Sequence, residues 1–361
     1  MADEGAYVIA AGKTGGHIFP GIALAREIRA RRPEAPIVFV GTAGGLEERL
    51  VPEAGFPLER VTASGFVGKS PGDRLRALAR LPLGFFQARR LLIGHRARAV
   101  AGMGGYVIVP VLSAAGSLKI PTLIHDSDAL PGISSRIAGR FATRVAVGVA
   151  GAAKSLGSRA VVTGTPVRSE FLAIPPRDSE RPSRRLLVFG GSQGAAVVNR
   201  AMAQAAALLG AEKIEVVHQT GDRHLESTGT AYGTLPPGWR LERFLPRLYD
   251  ELAWADLAVT RAGAMTLAEL AAAGRPAILV PFEAAAHRHQ LANAREFEEA
   301  GAAVVIEEKN LSADSLSAAI RGLLSDPSRL AEMGRRARSL AVPDAARRLA
   351  DLLFEAEEAA S

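Results

Sequence analysis

The sequence of 361 residues contains no cysteine. This absence excludes disulfide bonds, thiolate zinc sites and cysteine nucleophiles, and it fits a reducing compartment. A signal peptide is not expected, because the first five residues, MADEG, are acidic and run directly into a strand-like segment. The uncharged stretch 99–118 is long enough to span a membrane, but Pro110 and four glycines interrupt it. These absences predict a cytoplasmic chain without a transmembrane segment.

The charge balance is basic, with 44 Lys and Arg against 37 Asp and Glu, a formal net charge of +7 and a pI near 10.1. Such a balance favours an anionic partner, whether nucleic acid, acidic lipid or a phosphorylated substrate. The length corresponds to about two domains. Hydrophobic residues make up 48% of the chain, which supplies a sizeable core.

Short apolar runs alternate with helical patterns along the chain, which predicts parallel sheets with helices on both faces. The runs are Tyr7–Ala11, Ile37–Val40, a run near Val100, Thr122–Ile124, Val145–Val147, Leu186–Phe189, Ile214–Val217, Ala258–Thr260 and Ala277–Val280. The two halves also repeat each other, since YVIAAGKTGGH and RLLVFGGSQGA are each a strand, a glycine turn and a helix start. The segment Pro175–Arg185, rich in proline and charge, is typical of a linker. We therefore predict two α/β domains with ligands in a cleft between them.

Glycine turns follow three of the predicted strands, at Gly12–His17, Gly190–Ala195 and Arg261–Thr266. The residues Gly12-Lys13-Thr14 also end the G-x-x-x-x-G-K-[ST] pattern of a nucleoside-triphosphate loop, but Tyr7 stands where its leading glycine belongs. A glycine turn at a helix start exposes backbone N–H groups that suit a phosphate. Three such turns therefore predict a diphosphate ligand rather than a Walker-type loop.

Side chains suited to catalysis and sugar recognition accompany these turns. An imidazole such as that of His17 can take a proton from a sugar hydroxyl near neutral pH, although helix capping and phosphate binding are alternatives. Glu269 lies one helical turn beyond Thr266, where it can accept hydrogen bonds from a ribose or remain a surface charge. Gln290 offers an amide suited to hydroxyl recognition.

Two groups of residues raise the question of a metal. Asp126-Ser127-Asp128 follows an apolar strand and has the D-x-D spacing at which two carboxylates can share a divalent ion. His287 and His289 alternate, but no third ligand accompanies them. Glycine turns can meet the charge of a diphosphate without an ion, so we expect no metal and no other cofactor, and a metal held by the D-x-D stays open as the alternative.

Residues 66–98 combine eight Lys and Arg side chains with one acid, Asp73, and with interleaved leucines and phenylalanines. Basic and apolar residues at helical spacing indicate docking on an anionic membrane surface, or an ordinary amphipathic helix on the sheet. Aromatic residues are too few here for a nucleic-acid platform.

Together these motifs resemble the MurG family, the bacterial UDP-N-acetylglucosamine:lipid I N-acetylglucosaminyltransferases. The resemblance runs along nearly the whole chain. It is most specific in TGGHIFPG, MGGY, GTPVR, GGSQGA, RAGAMTLAELAAAGRPAILVPF, HQLANA and VPDAARRLADLL.

The resemblance implies a GT-B fold, two Rossmann-like, doubly wound α/β domains facing a cleft. Residues 1–168, with a C-terminal helix 343–361 packed back on them, would form the acceptor and membrane-docking domain. Residues 169–342 would bind UDP-GlcNAc. The implied reaction is an inverting, metal-free transfer of GlcNAc to the C4 hydroxyl of MurNAc in lipid I, forming lipid II for peptidoglycan synthesis and thus for cell division and cell shape.

The family pattern also assigns roles to residues. It makes His17 the catalytic base and places Thr14, Gly15 and Gly16 on the acceptor side. The other implied substrate contacts are Asp128 (donor sugar), Arg168 (nucleotide side), Ser192 (nucleotide or diphosphate), Leu245 (uracil), Ala264, Met265, Thr266, Leu267 and Ala268 (phosphate turn), Glu269 (ribose) and Gln290 (sugar hydroxyls). The implied partners are UDP-GlcNAc, lipid I, an anionic membrane surface on the cytoplasmic face of the plasma membrane and a cell-wall synthesis complex, with no nucleic acid.

Two positions depart from the family pattern. Lys13 stands where the family has glycine or another small residue. The segment HDSD, residues 125–128, replaces HEQN, so that Asp128 cannot donate the N–H of an asparagine to the donor sugar. The second departure keeps two alternatives open. One is another GT-B enzyme, such as a glycolipid synthase or a UDP-GlcNAc 2-epimerase, and the other is a weakly active nucleotide-sugar-binding partner.

Overall fold

The computed structural model describes residues 5–63, 71–157, 159–177, 182, 184–191, 193–283 and 289–360, and of residues 71–80 and 211 the backbone alone. The chain divides into two compact units. The first comprises Met1–Arg168 and Val342–Ser361, and the second comprises Ser169–Ala341.

Each unit is built on one parallel sheet. The strands of the first are β1 (Tyr7–Ala10), β2 (Ile37–Gly41), β3 (Leu58–Arg60), β4 (Ala99–Gly102), β5 (Thr122–Asp126), β6 (Arg144–Val147) and β7 (Ala160–Val162). The strands of the second are β8 (Arg185–Phe189), β9 (Glu215–Gln219), β10 (Trp239–Glu242), β11 (Leu257–Thr260), β12 (Ala277–Leu279) and β13 (Ala303–Val305). In the described residues their orders are β3-β2-β1-β4-β5-β6-β7 and β10-β9-β8-β11-β12-β13.

Helices connect these strands. In chain order they are α1 (Gly15–Arg31), α2 (Glu47–Glu53), α3 (Pro71–Gly94), α4 (Ile108–Ser117), α5 (Ile133–Gly139), α6 (Ala150–Leu156), α7 (Ser169–Leu172), α8 (Ala196–Leu209), α9 (Leu225–Tyr232), α10 (Leu248–Trp254), α11 (Ala264–Ala273), α12 (His289–Glu299), α13 (Ala313–Leu324), α14 (Pro327–Ser339) and α15 (Ala345–Glu358). Short 3-10 turns lie at Gly210–Glu212 and Glu308–Asn310. No helix of the described residues is both long and apolar enough to cross a membrane.

The central strands are buried along their whole length, as the apolar runs predict for a sheet covered on both faces. In both sheets the chain order reverses next to the first strand, between β1 and β4 and between β8 and β11. At such a reversal the following loops diverge and leave a crevice at the carboxyl edge. The fold thus places the predicted glycine turns at the ligand-binding edge of each sheet.

The last helix, α15, closes the core of the first unit. Its apolar face, which includes Leu353 and Phe354, packs into the same buried cluster as β1 and α1. Glu357, near its end, accepts a hydrogen bond from the Tyr7 hydroxyl (2.5 Å) and pairs with Arg32 (2.6 Å) and Arg98 (2.5 Å). These contacts join the chain's last helix to its first strand.

Candidate active site

The turn after β1 bends at Lys13, whose φ of +77° lies in the left-handed region. Thr14 follows as the extended N-cap of α1, and its side chain makes no capping hydrogen bond. The next residues, Gly15 and Gly16, are half-buried at the first turn of the helix. The backbone N–H groups at this end of α1 are therefore available to an anion.

His17 lies in that first turn with its ring oriented by the turn itself. Its Nδ1 is 3.0 Å from the carbonyl oxygen of Gly12 and 3.3 Å from the hydroxyl of Thr14. Because a carbonyl oxygen only accepts, Nδ1 carries the hydrogen, and in the neutral ring Nε2 holds a lone pair. The half-buried imidazole is therefore in the tautomer that a general base requires at Nε2.

The MGGY loop after β4 packs against this turn. A side chain at Gly104 would overlap the ring of His17, and a Cβ at Gly105 would lie 2.8 Å from the carbonyl oxygen of Gly12. The exposed Lys13 extends over the Tyr106 ring, with its ammonium 4.9 Å from the centroid. The two glycine motifs that the sequence analysis singled out in this unit are thus in contact.

Arg168, at the end of the first unit, lies beside α1. Its guanidinium stacks 4.6 Å from the centroid of Phe19, and a Cβ on Gly15 would lie 3.0 Å from that same ring. The structure therefore places Arg168 near the start of α1 within the first unit, where it adds positive charge to the helix N-terminus.

The HDSD segment folds around its own backbone. The Asp126 carboxylate accepts hydrogen bonds from the backbone N–H of Asp128 (3.0 Å) and of Gly132 (3.2 Å). Burial, with the neighbouring charge of Asp128, raises the pKa of Asp126. Buried His125 contacts the Gly164 carbonyl through Nε2 at 3.0 Å, and burial lowers its pKa. Asp126 thus stabilises its loop, and half-buried Asp128 remains the residue of this segment that is suited to a substrate.

Within the described residues, no cluster of three or more His, Cys, Asp or Glu side chains has the arrangement to hold a metal ion. His287 lies outside those residues, so the predicted histidine pair is not described as a whole.

In the second unit, α11 begins at Ala264 after Gly263, which has no side chain to cap the helix. Its first-turn residues Ala264, Met265 and Thr266 therefore present backbone N–H groups at the positive end of a helix. Ala268 is half-buried and Leu267 buried, so only part of this turn is open to a ligand. Glu269 is 5% exposed, which contradicts the surface-charge alternative and leaves it as a buried acid one turn into α11.

Three side chains fix the loops around α11. Arg261 pairs with Glu308 (2.5 Å), and Asn293 Nδ2 donates to the Ala262 carbonyl (3.1 Å). Gln290 Oε1 accepts a hydrogen bond from the backbone N–H of Phe282, at 3.0 Å, which holds its amide beside the end of β12. The structure thus brings Gln290 and the α11 turn to adjacent strand ends.

Gln219, which the sequence analysis did not single out, connects three loops of the same edge. Its Oε1 accepts from Gly190 N (3.2 Å), and its Nε2 donates to the carbonyls of Gly191 (3.1 Å) and Arg243 (3.2 Å). Half-buried Leu245 follows two residues after Arg243. The predicted contact Ser192 lies outside the described residues. The one sequence signal for this role is a glutamine at the end of the apolar segment that forms β9.

The second unit also contains a buried hydrogen-bond network centred on His218, the residue before Gln219. His218 contacts Asn199 Oδ1 through Nε2 (3.0 Å) and the Tyr232 hydroxyl through Nδ1 (2.8 Å). Asn199 Nδ2 donates to the Thr220 carbonyl at 2.9 Å. Burial lowers the pKa of His218 to about 3, so the ring is neutral when folded.

Two parallel α/β sheets with glycine turns at their carboxyl edges fit the GT-B fold, and family models identify the class as glycosyltransferases. The N-terminal domain model of glycosyltransferase family 28 matches residues 7–147, and the C-terminal domain model of that family matches residues 185–349. A UDP-N-acetylglucosamine 2-epimerase structure superimposes with a TM-score of 0.70 at 15% identity, over 98% of this chain and 96% of the other, which shows the fold alone.

Relatives that match along nearly their whole length identify the family within this class of glycosyltransferases. A protein of Acidithiobacillus ferrooxidans (strain ATCC 53993 / BNL-5-31) is 43% identical over 360 residues, 98% of each chain. One of Methylococcus capsulatus is 42% identical over 96% of this chain and 98% of its own. Both are named UDP-N-acetylglucosamine–N-acetylmuramyl-(pentapeptide) pyrophosphoryl-undecaprenol N-acetylglucosamine transferase. The crystal structure of Acinetobacter baumannii MurG superimposes with a TM-score of 0.76 at 28% identity, over 98% of this chain and 99% of the other. The chain belongs to the MurG family.

Proposed function

We propose that this chain transfers GlcNAc from UDP-GlcNAc to the MurNAc of undecaprenyl-pyrophosphoryl-MurNAc-pentapeptide, lipid I, and so forms lipid II. The observation that carries this proposal is the similarity to named transferases along at least 96% of the chain. Residues 1–168 and 343–361 take the acceptor and membrane role, and residues 169–342 take the donor role.

The chemistry follows from the tautomer of His17. Its Nε2 accepts the proton of the C4 hydroxyl as that oxygen attacks C1 of the donor sugar from the face opposite UDP. The bond between C1 and the phosphate oxygen breaks, UDP leaves with the bonding electrons, and C1 is inverted. Thr14, Gly15 and Gly16, around the start of α1, meet the negative charge of the lipid diphosphate, and Arg168 lines the nucleotide side.

The donor contacts lie at the carboxyl edge of the second sheet. The first-turn N–H groups of α11 stabilise the charge that develops on the UDP diphosphate. The buried carboxylate of Glu269 accepts hydrogen bonds from the ribose. Gln290 binds sugar hydroxyls, Leu245 lies against the uracil, and Ser192 contacts the nucleotide. Asp128 accepts from the donor sugar without the N–H of the family's asparagine.

Turnover is proposed to need no metal. The hydrogen bonds of Asp126 support this proposal. Its carboxylate accepts from backbone N–H groups of its own loop, so this member of the D-x-D motif has a structural role that needs no metal ion.

The direct test is transfer of labelled GlcNAc to a lipid I analogue, with UDP-glucose and UDP-GalNAc as competing donors and with one arm in excess EDTA. We expect lipid-dependent UDP release that persists in EDTA and prefers UDP-GlcNAc. Conversion of UDP-GlcNAc without lipid would identify an epimerase instead. Tight donor binding without transfer would identify a binding partner. Loss of turnover in EDTA would contradict the metal-free proposal.

His17→Ala should lower kcat by about 10²- to 10⁴-fold, the contribution of a general base, with little change in the KM for UDP-GlcNAc. His95→Ala is the matched control, because His95 is a half-buried histidine of the same unit that pairs with Glu59 at 3.7 Å. An unchanged rate in His17→Ala would remove its assignment as base.

We further propose peripheral attachment to the cytoplasmic face of the plasma membrane, beside the other enzymes of cell-wall synthesis. Helices α3 and α5 both pack on α4 and expose apolar side chains. These are Leu83 (52% exposed), Phe86 (65%) and Ile93 (51%) on α3, and Ile133 (44%), Ile137 (42%) and Phe141 (42%) on or after α5. Exposed Arg89 and Arg90 accompany the first group, and exposed Arg136 and Arg140 the second. Apolar residues beside arginines favour an anionic lipid surface.

Co-sedimentation with phosphatidylcholine vesicles, with and without phosphatidylglycerol, tests this surface. The double variant Phe86→Ser, Ile137→Ser should lose binding to the anionic vesicles. Leu208→Ser is the control, because Leu208 is also an exposed apolar residue (38%) but belongs to the second unit. Equal binding by both variants would contradict the proposed face.

A further inference from the structure

A buried carboxylate lies directly beneath the turn that carries His17. Glu47, the first residue of α2, is 0% exposed. Glycines surround it on three sides: a Cβ at Gly12 would lie 2.7 Å from its Oε1, and Cβ atoms at Gly41 and Gly45 would also collide with it. The local sequence thus leaves space for this one acidic side chain.

The carboxylate of Glu47 is occupied by donors from two loops. Its Oε1 accepts from the backbone N–H of Thr42 (2.9 Å) and from the Thr42 hydroxyl (3.0 Å). Its Oε2 accepts from the backbone N–H of Lys13 at 2.8 Å. Hydrogen bonds to a buried ionised acceptor are stronger than neutral ones, so this side chain holds the Lys13 backbone firmly.

The Lys13 N–H and the Gly12 C=O belong to one peptide group. Glu47 therefore binds one end of the peptide whose other end accepts the hydrogen of His17 Nδ1. This hydrogen bond from Lys13 to Glu47 matters because a lysine at φ +77° is in a disfavoured backbone conformation. If the peptide rotated, its carbonyl would leave Nδ1 and the tautomer of His17 would no longer be fixed.

We propose that Glu47 is a positioning residue for His17 and acts through the Gly12–Lys13 peptide. The carboxylate orients and polarises the peptide, and its carbonyl then holds the hydrogen on Nδ1 and leaves Nε2 to accept the substrate proton. The arrangement does the work of the carboxylate in a Ser-His-Asp triad, with one peptide group interposed. The catalytic part of this inference rests on the proposed function, whereas the control of the tautomer does not.

Glu47→Gln tests the inference, because a glutamine keeps the size but has one acceptor oxygen for three donors. The first measurement is the protonation of the His17 ring nitrogens by ¹⁵N NMR at alkaline pH, with His17→Ala identifying the signals. The wild type should show Nδ1–H alone, and Glu47→Gln should add the Nε2–H tautomer. An unchanged tautomer would overturn the proposal whatever reaction the protein catalyses.

The second measurement is turnover. Glu47→Gln should lower kcat about ten- to a hundredfold, as loss of a supporting partner does elsewhere, with the KM for UDP-GlcNAc unchanged. In the His17→Ala background the same change should cost less than about threefold, because residues that act as a unit are not additive. A multiplicative loss in the double variant would show an independent role for Glu47 and overturn the proposal.

Glu357→Gln is the matched control, since it also removes a buried glutamate charge from the first unit and should leave the tautomer and kcat unchanged. Where Glu47→Gln fails to fold, Glu47→Asp keeps the charge but withdraws it from Lys13. Loss of the single tautomer in Glu47→Asp supports the proposal, and its retention overturns it. Absence of transfer by the wild type would refute the proposed function and leave the tautomer test valid.

Discussion

Acidification is expected to destabilise the second unit through one buried histidine. The His218 ring is 0% exposed and shares its two nitrogens between Asn199 and Tyr232, an arrangement that suits a neutral imidazole. Burial lowers its pKa from 6.5 to about 3. A proton on this ring would be unsolvated and would also break the hydrogen bond from the Tyr232 hydroxyl.

The sign and size of the effect follow from linkage. Because the pKa is depressed in the folded state, the unfolded chain takes up the proton first as the pH falls. The contribution of His218 to stability is complete above pH 6.5 and is lost between pH 6.5 and about 3. The loss is about 1.4 kcal/mol for each pH unit in that window, or about 2 kcal/mol between pH 8 and pH 5.

Urea unfolding followed by tryptophan fluorescence measures this loss, because both tryptophans, Trp239 and Trp254, lie in the second unit. The non-titrating variant His218→Gln is the comparison. Its free energy of unfolding should fall by about 2 kcal/mol less than that of the wild type between pH 8 and pH 5. Burial raises the pKa of Glu296, so this residue stabilises the fold as the pH falls, the opposite of His218. Because Glu296 is present in both proteins, it does not affect the comparison. Equal losses in the two proteins would refute the reasoning.

Three further substitutions have expected outcomes. Glu357→Gln should lower the free energy of unfolding by about 2 kcal/mol, as measured by chemical denaturation followed by circular dichroism. This value is smaller than that expected for a fully buried ion pair, because Arg32 and Arg98 are about one-third exposed. Lys13→Gly should stabilise the protein by about 1 kcal/mol by removing a left-handed φ from a residue with a side chain, which the same denaturation experiment would show. Its KM for lipid I should rise if the ammonium meets the diphosphate, and an unchanged KM would make Lys13 a bystander. Glu269→Gln should weaken UDP binding about ten- to a hundredfold by calorimetry, since a charged acceptor for the ribose is lost, and an unchanged affinity would contradict its assignment.

The strands that the sequence predicts and those that it misses differ in position. All nine predicted apolar runs are strands, and all are internal to their sheets in the described residues. The missed strands β3, β7, β10 and β13 are the four sheet edges. An edge strand such as Leu58–Arg60 is half-buried and three residues long, so it carries no continuous apolar run. Its pairing depends on the neighbouring strand and not on its own sequence.

The candidate site, too, could be predicted from the sequence only in part. The glycine turns, the helix starts and the position of His17 follow from local sequence, because strand, turn and helix signals lie within a few residues. The exposed apolar residues of α5 were not predicted, since a helix from Ile133 to Gly139 is too short for its exposed stripe to stand out. The side chains that hold the turns come from other elements, at distances in sequence that no local pattern spans.

In both units the glycine-rich turn after the first strand is held by a polar side chain from another element. Such a turn has few side chains of its own that could fix its conformation, and in each unit a residue at or just after the second strand supplies the hydrogen bonds. Glu47, just beyond β2, holds the Lys13 backbone, and Gln219, at the end of β9, holds Gly190 and Gly191. A carboxylate suits the first turn, because Lys13 and Thr42 present only donors to it. An amide suits the second turn, because Gly190 presents an N–H whereas Gly191 and Arg243 present carbonyl oxygens.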